Sequence, residues 1–163
     1  MSEYIILGVD PGLKHTGCGI IEKTGKDIRY LDSGTIDTSP EMKFPDRLVK
    51  IYDEIEKVIL KYKPDAIAIE QSIYAQNVSI ALKLGHARGM VILAAARHHL
   101  EMGEYPPKKI KSSLTGNGSA TKDQVKFMVA KLLNIKPNML SNDSSDALAA
   151  AICHFNHFKL TGL

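Results

Sequence analysis

The chain alternates between the two hydrophobic periods of folded proteins. Tyr4-Ile5-Ile6-Leu7-Gly8-Val9 is a short apolar run that stops at Asp10-Pro11-Gly12, which predicts a buried strand over 4–10. A second strand is predicted over 16–22. Gly25-Lys26 supplies a hairpin turn into a third, 27–37, so the three form an antiparallel meander. From Phe44 to Tyr62 the apolar positions 48, 51, 52, 55, 58, 59 and 62 keep helical spacing, and Pro64 stops the helix. The run Ala66-Ile67-Ala68-Ile69 then reads as a fully buried strand that finishes on Glu70.

Beyond a polar stretch, the pattern predicts a long helix over 77–100 and a short strand over 103–106. Thr121 with Gln124 has the form of a capping box, opening a helix to about 134. Asn142 or Asp143 caps a last helix that runs to about 158. This order implies an α/β fold. A mixed five-stranded sheet, an antiparallel meander plus parallel strands, carries helices on both faces. The 163 residues are most simply one domain.

The acids at the ends of these elements carry the chemistry. Asp10 and Glu70 both terminate predicted core strands, where the functional crevice of open α/β sheets lies. Glu70 has the weaker structural explanation, because a lone carboxylate after Ile-Ala-Ile is costly to bury unpaired. Asp143 and Asp146 fall on one side of a helix, at the N-terminal end that favours negative charge. A few converging carboxylates suit a hard divalent cation such as Mg²⁺. Two such ions roughly 4 Å apart activate a water and stabilise the leaving oxygen in phosphodiester hydrolysis. Four carboxylates without a nucleophilic Ser or Cys motif fit that task, with Asp10 bridging both ions and Glu70 and the 143/146 pair completing the two sites.

Charge distribution adds a polyanion. Seven lysines (108, 109, 111, 122, 126, 131 and 136) stand against Asp123 alone between 108 and 136, so this segment is +6 and the remainder of the chain −3. A solvated helix face is the plainer alternative. Within the segment, Gly116-Asn117-Gly118-Ser119 lacks Walker spacing, and its closeness to Lys111 and Lys122 suggests a DNA-backbone loop. Only Cys18 and Cys153 occur, far apart, which fits a reducing cytoplasm. No secretory signal is visible, and the longest uninterrupted apolar run, 90–96, is too short for a bilayer. Cys153, His154 and His157 share one helix, which offers too few ligands for a closed zinc site.

Several stretches closely resemble RuvC-type Holliday-junction resolvases: Ile6-Leu7-Gly8-Val9-Asp10-Pro11-Gly12, Ala68-Ile69-Glu70-Gln71, Ala81-Leu82-Lys83-Leu84-Gly85-His86-Ala87-Arg88-Gly89, Gly116-Asn117-Gly118-Ser119-Ala120-Thr121-Lys122 and Asp143-Ser144-Ser145-Asp146-Ala147-Leu148-Ala149. The resemblance spans essentially the whole chain. It implies a ribonuclease H-like fold, a homodimer, and Mg²⁺- or Mn²⁺-dependent nicking of four-way DNA junctions in recombination and repair, with 5′-phosphate and 3′-hydroxyl ends. It also implies a RuvA–RuvB branch-migration complex as partner and no membrane. Carried over by position, the catalytic and metal-binding carboxylates are Asp10, Glu70, Asp143 and Asp146. Some relatives have histidine where this chain has Asp143. Lys111 and Lys122 match lysines that contact DNA, and Asn77, Gly116, Gly118 and Ser119 join the expected DNA surface. The family carries an aromatic wedge three residues after the glutamate. Ile73 stands there in this chain, with Tyr74 next to it, and Tyr74 is the expected stacking residue.

Two other functions fit parts of the pattern. Asp10-Pro11-Gly12 followed by Gly17 and Gly19 also resembles the first phosphate motif of actin-like ATPases, which need two such domains. A non-catalytic junction-binding module would share the fold and the lysines. Ala81, Gly85 and Gly89 place small residues four apart on one helix, allowing close helix approach against the sheet or across a dimer contact.

Overall fold

The computed structural model describes residues 3–72 and 76–161, with side chains as far as His157. Five strands form one mixed sheet in the order β3-β2-β1-β4-β5. Strands β1 (Tyr4–Asp10), β2 (His15–Thr24) and β3 (Asp27–Asp37) are the antiparallel meander. Strands β4 (Ala66–Glu70) and β5 (Glu101–Tyr105) add on parallel to β1. Gly25, with φ of 65°, makes the turn between β2 and β3.

Alternation across the strands gives the sheet two apolar faces. Leu7, Val9, Cys18, Ile20, Ile67 and Ile69 face one way and meet Ile51, Ile55 and Ile59 of α1 (Phe44–Tyr62). The same face meets Ala87, Val91, Ala94 and Ala95 of α2 (Val78–Arg97). Ile6, Ile21 and Ala68 face the other way, under α3 (Pro107–Thr115), α4 (Lys122–Leu133) and α5 (Asn142–Thr161). α5 is the central cover, with Ala147–Cys153 buried throughout.

Three details depart from the pattern read in the sequence. β5 starts at Glu101 rather than at Gly103, because pairing with β4 begins at Ala66 opposite Glu101. α3 occupies 107–115, where no element was predicted; only Ile110 and Leu114 are buried in it, too few apolar positions to show a period. The N-cap of α5 is Ser141, whose Oγ accepts from Ser144 N–H, so Asn142 and Asp143 lie in the first turn instead of capping it. The Thr121–Gln124 capping box forms as read. α2 as a whole is long and apolar enough to cross a bilayer, which the run 90–96 alone is not. Its middle, however, holds Arg88, ion-paired at 2.5 Å to Glu104 of β5, and a charge at the centre of a membrane span is costly. Four of its residues belong to the protein core.

Candidate active site

Two parallel strands bring the first two acids together. β1 and β4 pair from Ile6 with Ala66 to Val9 with Ile69, so the next residues, Asp10 and Glu70, end side by side. Both lie on the α5 face, two positions beyond Gly8 and Ala68.

The third acid arrives because the sheet is bare where α5 crosses it. A Cβ on Gly8 would collide with the Ala147 carbonyl, and one on Gly17 with the Asp143 carbonyl; one on Gly19 would press into the Leu148 side chain. Gly17 is the cross-strand partner of Asp10, and Gly19 that of Gly8. These glycines form a patch that lets the backbone of α5 approach and carries Asp146 over the strand ends. They are therefore occupied by a helix, which removes them from the phosphate motif of the ATPase reading. The sequence signal was available as glycines at alternate positions of two paired strands.

The result is a tight group of carboxylates. Oxygens of Asp10, Glu70 and Asp146 lie within 4.8 Å of one another, and all three side chains are half-buried. Burial first, and then the charge of Glu70 and Asp146, push Asp10 up to about 8; its protonated carboxyl donates a hydrogen bond to Glu70. Glu70 is raised by burial and by Asp146, against the pull of that hydrogen bond, Lys122 and Lys111. Asp146 is raised by burial, while Lys122 and Lys111 draw it down. Three acids crowded until one keeps its proton are a donor set that a hard cation satisfies. Asp143 stands one helical turn away, outside the 4.8 Å group, and its charge still raises Asp146 and Asp10.

A cleft of about 270 Å³ opens from the acids, walled by Ser72, Pro107, Lys111 and Lys122 among others. Lys111 is half-buried on α3, next to the buried Ile110, and Lys122 is the first residue of α4, held by the capping box. Acids at the floor and lysines at the wall suit a phosphate approaching bound cations.

The remaining candidates are scattered. The 116–119 segment is a helix end: Gly116, at φ 76°, closes α3 and donates to Ser112 O. Asn117 N–H goes to Thr115 Oγ1 and Ser119 N–H to Asn117 Oδ1. These donors are spent inside the loop and do not cradle a phosphate. Asn77 caps α2 by accepting from Ile80 N–H. Ile73 and Tyr74 lie outside the described residues. His154 Nδ1 meets the Tyr105 hydroxyl at 2.6 Å, an internal bond rather than a metal ligand.

Comparison with known proteins agrees with this geometry. The family model for the crossover junction endodeoxyribonuclease RuvC matches residues 6–154. The chain is 43% identical over 159 residues to RuvC of Ruminiclostridium cellulolyticum, covering 98% of this chain and 96% of that one. To RuvC of Alkaliphilus oremlandii it is 46% identical over 150 residues, 92% of each. Thermus thermophilus RuvC, solved in complex with a Holliday junction substrate, superposes with a TM-score of 0.91 at 30% identity, covering 97% of this chain and 96% of that one. A strand-end carboxylate group on a ribonuclease H-like sheet, matched over nearly its whole length, places this chain in the RuvC family of crossover junction endodeoxyribonucleases.

Proposed function

We propose that this chain is a structure-selective endonuclease that resolves four-way DNA junctions by paired nicks, leaving 5′-phosphate and 3′-hydroxyl ends. The observation that carries the reading is the group Asp10, Glu70 and Asp146 within 4.8 Å, at the floor of a cleft walled by Lys111 and Lys122. Asp10, Glu70, Asp146 and, one helical turn away, Asp143 would hold two Mg²⁺ ions, with Mn²⁺ as substitute. Bound there, the ions supply an activated water and neutralise charge on the leaving oxygen. The chain's own part is to release the Asp10 proton to solvent, to seat the scissile phosphate with Lys111 and Lys122, and to position the cut strand. Ile73 and Tyr74 are the proposed wedge at the crossover. Asn77, Gly116, Gly118 and Ser119 complete the proposed DNA surface, and residues 1–163 act as one nuclease domain.

Two symmetric nicks call for two copies. The outward face of α2 presents Val78, Leu82 and Leu93, exposed by 75%, 61% and 45%. Gly89 lies between them, and a Cβ on it would meet nothing within 4 Å. Spacings of four and seven on one face suit helix-on-helix packing, so we assign it to a homodimer. A RuvA–RuvB branch-migration complex in the bacterial cytoplasm is the proposed setting.

A labelled four-way junction incubated with the protein and Mg²⁺, beside a linear duplex, tests the reading. Paired nicks should appear in the junction alone. Glu70→Gln should lower nicking by about 10³-fold or more, as for members of a group that acts as a unit, while junction binding persists. Near wild-type cutting by Glu70→Gln would sink the metal site. Binding without any cutting in Mg²⁺ or Mn²⁺ would instead support the non-catalytic module.

A further inference from the structure

A second cavity, of about 260 Å³, lies on the α2 side of Glu70. Glu70 and Ser72 line both it and the metal cleft, so the two spaces adjoin across the same acid. Its other walls are Pro11, Ala81, Leu84, Gly85 and Arg88. These are small or apolar groups with one guanidinium. The Arg88 head is fixed by the ion pair to Glu104 at 2.5 Å. Glu104 also accepts from Gln71 Nε2 at 3.1 Å, and Gln71 N–H donates to Tyr105 O. The wall beside the catalytic strand end is therefore built in advance.

We propose that this cavity receives one unstacked nucleobase of the cut strand, next to the phosphate held at Asp10, Glu70 and Asp146. The inference rests on the nuclease reading above. Its volume falls below the roughly 300–1,000 Å³ of drug-sized pockets, a size for one planar ring system. Apolar walls accept the faces of a base, and a fixed guanidinium plane stacks on it or reads acceptors at its edge. Position supplies the reason for such a site. A phosphate drawn down to strand-end acids must leave its helix, and the adjoining base then needs a place other than the stack. A base so held would also give the cut a sequence preference that phosphate contacts cannot.

The test fills the cavity and then removes the base. Ala81 is exposed on α2, and Ala81→Leu puts bulk into the space while leaving the acids and lysines in place. Single-turnover cutting of an intact junction should fall by roughly 5- to 150-fold, the factor carried by one stacked base, with junction binding unchanged. A junction with an abasic nucleotide on one side of the scissile phosphate, 5′ or 3′, should restore most of the rate. Full-rate cutting by Ala81→Leu, or an equal defect on intact and both abasic junctions, overturns the proposal. If Ala81→Leu does not fold, 2-aminopurine placed on either side of the phosphate decides, read in the non-cutting Asp146→Asn complex. Its fluorescence should rise on binding at one position, and an unchanged signal at both overturns the idea. Failure of wild-type protein to cut any junction would remove the nuclease reading itself, a separate result.

Discussion

Asp10 and Glu70 end neighbouring strands with more negative charge than two buried carboxyls can hold unaided, and pH dependence follows from that. In the unfolded chain Asp10 ionises near 3.8, and in the fold near 8. Between these values the folded state holds the extra proton, so stability falls as pH rises through the window. Metal-free protein should melt lower at pH 8 than at pH 5. Asp10→Asn should flatten that slope and raise Tm at pH 8, by about 2–4 °C for each kcal/mol relieved. Saturating Mg²⁺ should do the same for the wild type. Calorimetry with a chelator present checks both, and identical slopes for the two proteins would remove Asp10 as the cause. The lysines divide by position. Lys111→Ala and Lys122→Ala should reduce cutting more than binding, since both line the cleft. Loss of Lys126, Lys131 or Lys136 should lower the salt slope by about one unit where that side chain meets phosphate. Equal, additive effects from all five would mean an undifferentiated patch. Asp10 and Glu70 were legible from sequence because each ends an apolar strand run, and Asp146 because it opens the last helix as half of an acidic pair. The separate standing of Asp143 was not, because helical spacing puts it on the right side without fixing its reach.

Elements divide in the same way. Strands with apolar runs, a helix with a sustained apolar period and a helix with a capping box announce themselves, which is why β1, β4, α1 and the opening of α4 could be read directly. β5 has Glu101, Gly103 and Glu104 among its five residues, and its place depends on pairing with β4, so its start was hidden. The approach of α5 was hidden too, since a glycine inside a strand reads as a weakness until a helix is laid over it. Gly17→Ala should cost at least about 1–3 kcal/mol, as overpacking does, and should slow nicking by displacing the helix that carries Asp146. Gly34→Ala, with nothing within 4 Å of the added methyl, should stay within about 0.5 kcal/mol. Denaturant titration of the two variants makes the comparison, and equal costs would deny the glycine patch its role.

At the scale of the whole molecule, the proposed homodimer rests on the outward face of α2. Leu82→Glu places a charge where the proposed two-fold contact buries apolar surface. It should shift the protein toward monomer in sedimentation while each copy keeps its fold, and an unchanged mass would move the interface elsewhere. The sheet offers a poor alternative route to a dimer. Its β3 edge carries Asp27, Arg29 and Asp32, and a register shift opposite Ile20/Ile21 bends it, features that discourage edge-to-edge pairing. α5 has a further effect, because the helix that seals the core is also the one that delivers Asp146. Local opening cannot release this acid without exposing the buried run Ala147–Cys153. Backbone amides around Asp146 should therefore exchange with deuterium only when the entire chain opens. The fidelity of the cut and the lifetime of the fold are in that sense one quantity, and a variant that loosens the protein loosens the aim of its chemistry with it.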